Sequence, residues 1–348
     1  MKLLPHEENY FGLDLGSSSI KLAQLREIGG KPSLVTYGDI ELDEKLILSD
    51  SEIDLKKLSD AIKQLTEDAK VTTNNVVASL DASQSYIAVI KTPKLNHNEL
   101  AESIKFQADK VIPMSIDQVK LDWAVISDDP ESEELEILLV ASPNVIADKY
   151  LSIVQNAGLE LMALEINSIA QSRSLIREID RTKSLAIVDI GSINSDITII
   201  DSMVPKLVRS TNVGGDVLNR VLSQNLAIDN AQADQFIKKF GMDQTKIEGQ
   251  IFKTLKPIID HLTEELNRSI DYFQEKNNGK KIDKIILTGG TSALIGLPLY
   301  IANATGLTVE VGNPWQNISY PAELSNSLAS LSLSYATSIG LALRSYKL

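Results

Sequence analysis

Apolar and polar positions alternate along this chain in blocks of two kinds. Between residues 10 and 27 an apolar run, YFGLDL, passes through the small polar stretch GSSS into a second apolar run that begins at Ile20. Residues 185–201 repeat the arrangement as LAIVDI, GSINSD and ITIID. Short apolar runs joined by Gly and Ser read as two strands and a hairpin turn. Gly29 and Gly30 end the second run, and residues 32–42 supply a third strand. Leu55, Leu58, Ile62 and Leu65 keep helical spacing with Lys and Asp on the other face, so a helix is expected over 54–70, then a buried strand over 76–80. The two hairpins lie about half the chain apart, which points to two similar lobes and not to a solenoid with its period of about 20 to 50 residues.

Residues 83–157 change the pattern to strand (85–91), helix (98–110), strands (119–126 and 135–141) and helix (144–155), with no phosphate motif of their own. We read them as an inserted subdomain of a first lobe spanning 1–182. The acidic run DDPESEE at 128–134 fits a solvated hairpin tip, because like charges avoid burial. In a second lobe, 183–348, residues 214–281 read as a helical subdomain broken near Asn225 and Gly241, followed by a core strand over 282–288, a helix over 292–305 and a closing helix over 334–346. Two stretches, 285–309 and 324–343, carry no charge, and by length alone each permits a membrane helix of about 20 residues. The glycines and Pro298 of the first suit strand, turn and helix in a buried core. The serines of the second suit a loop followed by a packed amphipathic helix.

Composition narrows the choice. With 348 residues, 43% of them apolar, the chain can form about two domains with sizeable cores. A net charge of -13 disfavours a nucleic-acid or anionic-membrane surface. The absence of cysteine excludes thiolate chemistry and fits a reducing cytosol. His6, His97 and His261 are too scattered for a metal cluster or a triad. The opening MKLLPHEENY is acidic where an export signal needs a basic start, so a cytoplasmic location is expected.

The candidate chemistry begins with the two D-h-G-S turns, where h is apolar. A turn of Gly and Ser offers backbone N–H groups and hydroxyls with little bulk, so Gly16, Ser17, Ser18 and Ser19, facing Gly191, Ser192 and Asn194, can grip one polyphosphate. Lys21 can reach a terminal phosphate or decorate an exposed strand. Asp14 and Asp189 would repel phosphate directly and make sense only with Mg2+, which takes carboxylate, water and phosphate oxygens. Two double glycines, Gly214 and Gly215 before Asp216, and Gly289 and Gly290 before Thr291, each open an expected helix and allow a ring, ribose or phosphate to approach the backbone.

The order D-h-G-S, D-h-G-S-x-N-S-D, V-G-G-D and T-G-G-T is that of actin, the heat-shock chaperone ATPases, FtsA and PilM. The chain resembles the PilM family of type IV pilus assembly proteins over nearly its whole length, through GLDLGSSSIK at 12–21, FQADKVIPMSIDQVKLD at 106–122, the motifs at 187–195, 212–218 and 286–297, and SIGLALR at 338–344. The resemblance implies an α/β, actin-like ATPase fold of two duplicated lobes with an inserted FtsA-like subdomain, binding ATP and Mg2+ between the lobes. It implies a scaffold at the inner face of the cytoplasmic membrane, bound to the cytoplasmic tail of a PilN-like membrane protein and linked through it to PilO and the assembly ATPase. Where hydrolysing relatives carry an acidic residue this chain has Asn167, so slow hydrolysis at most is expected, with Glu165 as the nearby alternative base. Ile237 stands where relatives carry a base- and ribose-binding lysine, which leaves Lys238 to substitute. An FtsA-like filament protein and a small-molecule kinase are the competing readings. The KLLP segment at 2–5 is like a partner tail and raises self-association as a further expectation.

Overall fold

The structure, a computed structural model, describes residues 9–42, 46–128 and 130–346. The KLLP segment, His6, Asp129 of the acidic tip and the last two residues lie outside the described residues, as does the side chain of His97. Strands β1 (Phe11–Leu15), β2 (Ser19–Ile28) and β3 (Lys31–Glu41) form an antiparallel meander, and after helix α1 (Glu52–Asp68) strand β4 (Asn75–Leu80) joins β1 in parallel. A separate three-stranded antiparallel sheet follows, from β5 (Tyr86–Pro93), β6 (Val119–Ser127) and β7 (Glu134–Pro143), with helices α2 (His97–Val111) and α3 (Asn144–Asn156). Strand β8 (Glu160–Ile166) then returns to the first sheet and pairs with β4, giving the order β3-β2-β1-β4-β8. Helix α4 (Asn167–Leu175) leaves this edge for the second half of the chain.

The second sheet has the same plan. Strands β9 (Ser184–Ile190), β10 (Ser195–Asp201) and β11 (Val204–Thr211) form the meander, and β12 (Lys284–Thr288) and β13 (Val309–Val311) add in parallel, in the order β11-β10-β9-β12-β13. Between β11 and β12 run α5 (Gly215–Leu226), α6 (Asn230–Phe240) and α7 (Gln250–Lys276). A left-handed Ala227 separates α5 from α6, and Gly241 ends α6. The amphipathic spacing of α1 buries Leu58, Ile62 and Leu65 against the first sheet, while the second sheet packs on α5 to α8 (Leu297–Thr305) and the three-stranded sheet keeps a core of its own.

Three expectations need correction. The helix expected over 292–305 is a 3-10 turn, Gly290–Ala293, and then α8, because Gly296 adopts φ +78° and Ile295 bonds to Met242. The loop expected at the start of 324–343 is largely helix α9 (Ser325–Leu331). The closing helix, α10 (Ala336–Ala342), is shorter than expected and is not amphipathic: all 7 residues are buried, because it is enclosed by α4 on one side and β1 and β2 on the other. Among the described residues no helix is long and apolar enough to cross a membrane.

Small residues make that enclosure possible. A Cβ on Gly340 would lie 1.9 Å from the Ala170 carbonyl oxygen of α4, and one on Gly12 of β1 would lie 2.2 Å from that of Ser338. Gly340→Ala is therefore expected to cost about 1 to 3 kcal/mol in urea unfolding, the usual penalty of overpacking, whereas Gly290→Ala, which opens onto free space, stays near wild type.

Candidate functional site

The two hairpin turns meet at the mouth of a cleft of about 600 Å3 between the sheets. Gly16 and Gly191 allow the turns to be tight: a Cβ on Gly16 would sit 2.7 Å from the Ser19 carbonyl, and the Gly191 N–H donates to the Asn194 carbonyl at 3.0 Å. The Ser17 and Ser192 hydroxyls, 175 residues apart in sequence, lie 2.7 Å from each other. Lys21 donates to Ser19 on its own hairpin, and Asn194 reaches across to Asp81 at 3.1 Å.

Strand register decides the charge of each hairpin. Asp14 stands opposite Lys21, but at the equivalent place in the second hairpin Asp189 stands opposite Asp196. Ser79 donates to Asp14 at 3.0 Å, and Gln171 donates to Asp189 at 2.6 Å and to Thr337 at 3.0 Å. Asp196 accepts from Ser210 at 2.5 Å and from the Asn167 amide at 3.0 Å. Burial raises the pKa of all three carboxyls. Asp14 is moved upward despite Lys21 and Ser79, Asp189 is pushed up to about 6 with the charges of Asp14 and Asp81 adding to burial, and Asp196 is raised by burial and by Asp81 and Asp189.

Most of the residues expected from the sequence converge here. Asp14, Gly16 to Ser19, Lys21, Asn167, Asp189, Gly191, Ser192, Asn194, Gly215, Lys238 and Gly289 to Thr291 all line the cleft. Gly289 adopts φ +87° with its α-carbon against Asp189, where a Cβ would lie 2.2 Å from the carboxylate, and Thr291 donates to the Gly191 carbonyl at 2.8 Å. The expected α-helix N-terminus at this point is only a 3-10 turn. Gly214 and Asp216 do not line the cleft; they brace it, Gly214 packing on the backbone of Ser192 and Ile193 and the Asp216 N–H donating to the Ser192 carbonyl at 2.8 Å. Ile237 and Lys238 both line the wall, and Lys238 pairs with Asp234 at 2.8 Å.

Glu165 must be withdrawn as a water-activating group of the cleft. It is buried away from it, held by both terminal guanidinium nitrogens of Arg173 at 2.8 and 2.5 Å and by Arg344 at 2.9 Å. Burial alone would raise its pKa, but the two arginines more than reverse this and keep it ionised. Sequence reasoning in turn missed Ser79, Asp81, Gln171 and Asp196 as cleft residues. Asp196 could have been found, since it closes the repeated motif GSINSD on an inward-facing strand position. His261 is exposed on α7, and among the described residues no group of three or more His, Asp or Glu is placed to hold a metal.

Against this geometry, the sequence model of the type IV pilus assembly protein PilM family matches residues 12–346. The chain belongs to that family. Its fold is that of the actin-like ATPases. It superposes on the structure of a PilM-PilN type IV pilus biogenesis complex with a TM-score of 0.84, at 22% identity, over 99% of this chain and 100% of that one. MreB5 of Spiroplasma citri bound to AMPPNP is similar at a TM-score of 0.56 and 13% identity, over 97% of this chain and 95% of that one. Among curated proteins, the cell division protein FtsA of Enterococcus faecalis is 20% identical over 370 residues, 91% of this chain and 84% of the relative. The family assignment accords with the motif order read from the sequence.

Burying acids whose pKa is higher in the fold than in the unfolded chain stabilises the protonated form. Folding therefore takes up protons between the ordinary carboxyl range and about pH 6, and the stability this provides at low pH is lost as pH rises through that window. Urea unfolding of the nucleotide-free protein is expected to show stability falling from pH 5 to pH 7.5, with Asp189→Asn flattening the slope.

Proposed function

We propose that this chain is a nucleotide-loaded scaffold of type IV pilus assembly at the inner face of the cytoplasmic membrane, with Mg2+-ATP held between two lobes, 1–182 and 183–348. The observation that carries the reading is the meeting of the two Gly-Ser hairpins at Ser17 and Ser192 over a carboxylate-lined floor. Backbone N–H groups and hydroxyls there suit a polyphosphate, and Lys21 supplies the cation for its terminal group. Asp14 and Asp189 would hold Mg2+, whose positive charge would let buried carboxylates stay ionised beside an anion; one or two carboxylates are what this ion ordinarily takes from a protein. Gly215, Lys238 and Gly289 to Thr291 would hold the nucleoside end. That a protein of similar fold was solved with AMPPNP supports the same reading.

Hydrolysis is slow in this proposal for a reason visible at Asn167. Its amide oxygen already accepts from the N–H groups of Ala82 and Ser168, at 3.2 and 2.8 Å, and its amide nitrogen donates to Asp196. A neutral group committed at both ends takes no proton from water.

The partner site of the proposal is a groove of about 360 Å3 beside the inserted subdomain, floored by Val140, Leu151, Leu161, Ala163 and Ile169. Strands β6 and β8 end their sheets, and neither outer edge pairs with another strand among the described residues. An extended, apolar peptide adds to such an edge through its main chain and places alternate side chains on the floor. The cytoplasmic tail of a PilN-like protein fits that description, with PilO and the assembly ATPase reached through the complex. The PilM-PilN pairing named for the similar structure supports this choice.

Calorimetric titration is expected to give 1:1 binding of Mg2+-ATP to wild type, loss of binding in the Asp14→Ala, Asp189→Ala double variant, and almost no phosphate release. Fast release would return an enzyme to the front, and no binding by wild type would refute the nucleotide reading. Separately, Ala163→Arg, which puts a charge on the groove floor, is expected to weaken a PilN-family tail peptide at least tenfold in fluorescence anisotropy while leaving nucleotide affinity in the absence of peptide unchanged.

A further inference from the structure

The first described residue, Asn9, stands close to the groove. Strands β1, β4 and β8 run in parallel and start at one level, with Phe11 opposite Val76 and Asn75 opposite Glu160. The Asn9 carbonyl accepts from the Thr73 hydroxyl at 2.9 Å and from the Asn75 amide at 3.4 Å, which ties the entry into β1 to the β4 side of the sheet. Tyr10 is buried in a small cluster with Val77, Ala170 and Leu341; Ala163 packs against this cluster and also lines the groove. The chain before Asn9 is therefore tethered beside the groove floor. Within it, Leu3, Leu4 and Pro5 form an apolar run, followed by the polar residues His6, Glu7 and Glu8. A strand added outside β8 lies three strand spacings from β1, about 14 Å. The five residues from Leu4 to Asn9 span up to about 17 Å when extended, so Leu4 reaches the groove of its own molecule.

We propose that residues 2–5 of this chain, KLLP, occupy the groove of the same molecule as a strand on the edge of β8, a built-in competitor that a partner peptide must displace. This deepens the reading of the groove as a peptide site, on which it rests. The tether fixes the direction: a tail anchored by its C-terminal end at the strand starts runs opposite to β8, so the added strand is antiparallel. The two leucines bring apolar side chains to an apolar floor, and His6, Glu7 and Glu8 cross beneath the strand starts in water. Two buried polar atoms of groove-lining residues, the Ser142 hydroxyl and the Arg344 Nε, have no hydrogen-bond partner among the described residues, and carbonyls of the tail supply acceptors for both. A short tether gives an effective concentration on the order of millimolar, so a contact too weak to join two molecules still fills the groove within one.

The chain has no cysteine, so an engineered pair reports a single contact. Under mild oxidation of the dilute full-length protein, Leu4→Cys with Ala163→Cys is expected to form an intramolecular disulfide at least about tenfold faster than Leu4→Cys with Tyr272→Cys, whose second position is exposed on α7 of the other lobe. Equal rates for the two pairs overturn the docking, and disulfide-linked dimers in place of monomer overturn its intramolecular form by placing the tail in a second copy. Without cysteines, Leu3→Ser with Leu4→Ser is expected to tighten a synthetic peptide of the cognate PilN-family tail at least about threefold in fluorescence anisotropy, because the competitor is gone. Unchanged affinity overturns the competition. A crosslink in a protein that binds no such peptide leaves the tail in the groove and overturns the partner reading instead, whereas peptide binding without a crosslink overturns this inference alone. Should the cysteine pair not fold, hydrogen exchange decides: the β8 amides are expected to exchange faster in Leu3→Ser, Leu4→Ser than in wild type, and no difference overturns the proposal.

Discussion

At Gly340 two helices come closer than any side chain would permit. The backbone of α10 lies against the Ala170 carbonyl of α4, and on its opposite side Ser338 lies equally close to Gly12 of β1. This contact decides where the rest of the cleft can be. Helix α4 leads out of the first sheet into the second, and α10 returns from the second to pack on the first, so the two lobes are joined twice at one point. The cleft residues on these two helices, Asn167, Gln171 and Thr337, take their positions from that crossing. A larger residue at Gly340 would part the helices and move Gln171, Asp189's partner, away from it. The buried Ser174 hydroxyl, donating to the Ala336 carbonyl at 2.7 Å, and the bond from Arg173 to the Gly340 carbonyl fix the crossing in register.

The duplication of the sheets is faithful in backbone and deliberately unfaithful in charge. Both meanders have the same strand order and the same tight turn, yet the position facing the strand aspartate is Lys21 in one and Asp196 in the other. A cleft built with two lysines would hold any anion. One built with two aspartate pairs would reject all of them. The mixed arrangement gives the cavity a polarity along the line between the lobes, so that a ligand with unequal ends has one favourable orientation.

How much of this was legible beforehand follows from the range of the interactions involved. The hairpins, the amphipathic helix α1 and the helical character of 214–281 depend on neighbours in sequence, and apolar spacing with Gly and Ser at the turns reveals them. The repeat made most of the cleft legible as well, because Gly16, Ser17, Gly191 and Ser192 are chemically marked. What could not be read depends on residues far apart. Glu165 looks suited to catalysis until Arg173 and Arg344 are seen to enclose it, and Gln171 looks like a surface residue until α10 covers it. The closing helix was misjudged for the same reason: its sequence does not show that it is surrounded on every side, since its neighbours come from residues 11–28 and 167–175.

That burial has a consequence for how the molecule is made. Helix α10 forms part of the core around β2, where Ile339, Ala342 and Leu343 pack with Ala23, Leu25 and Trp315, and the Tyr10 hydroxyl bonds to the Ala342 carbonyl at 3.2 Å. Strands β1 and β2 thus leave the ribosome long before the helix that covers their outer face. During that interval the second lobe can complete most of its own core, whereas the first must remain with an apolar surface uncovered, the condition in which nascent chains associate wrongly or recruit chaperones. At this one place an earlier segment of the chain owes its final closure to a later one.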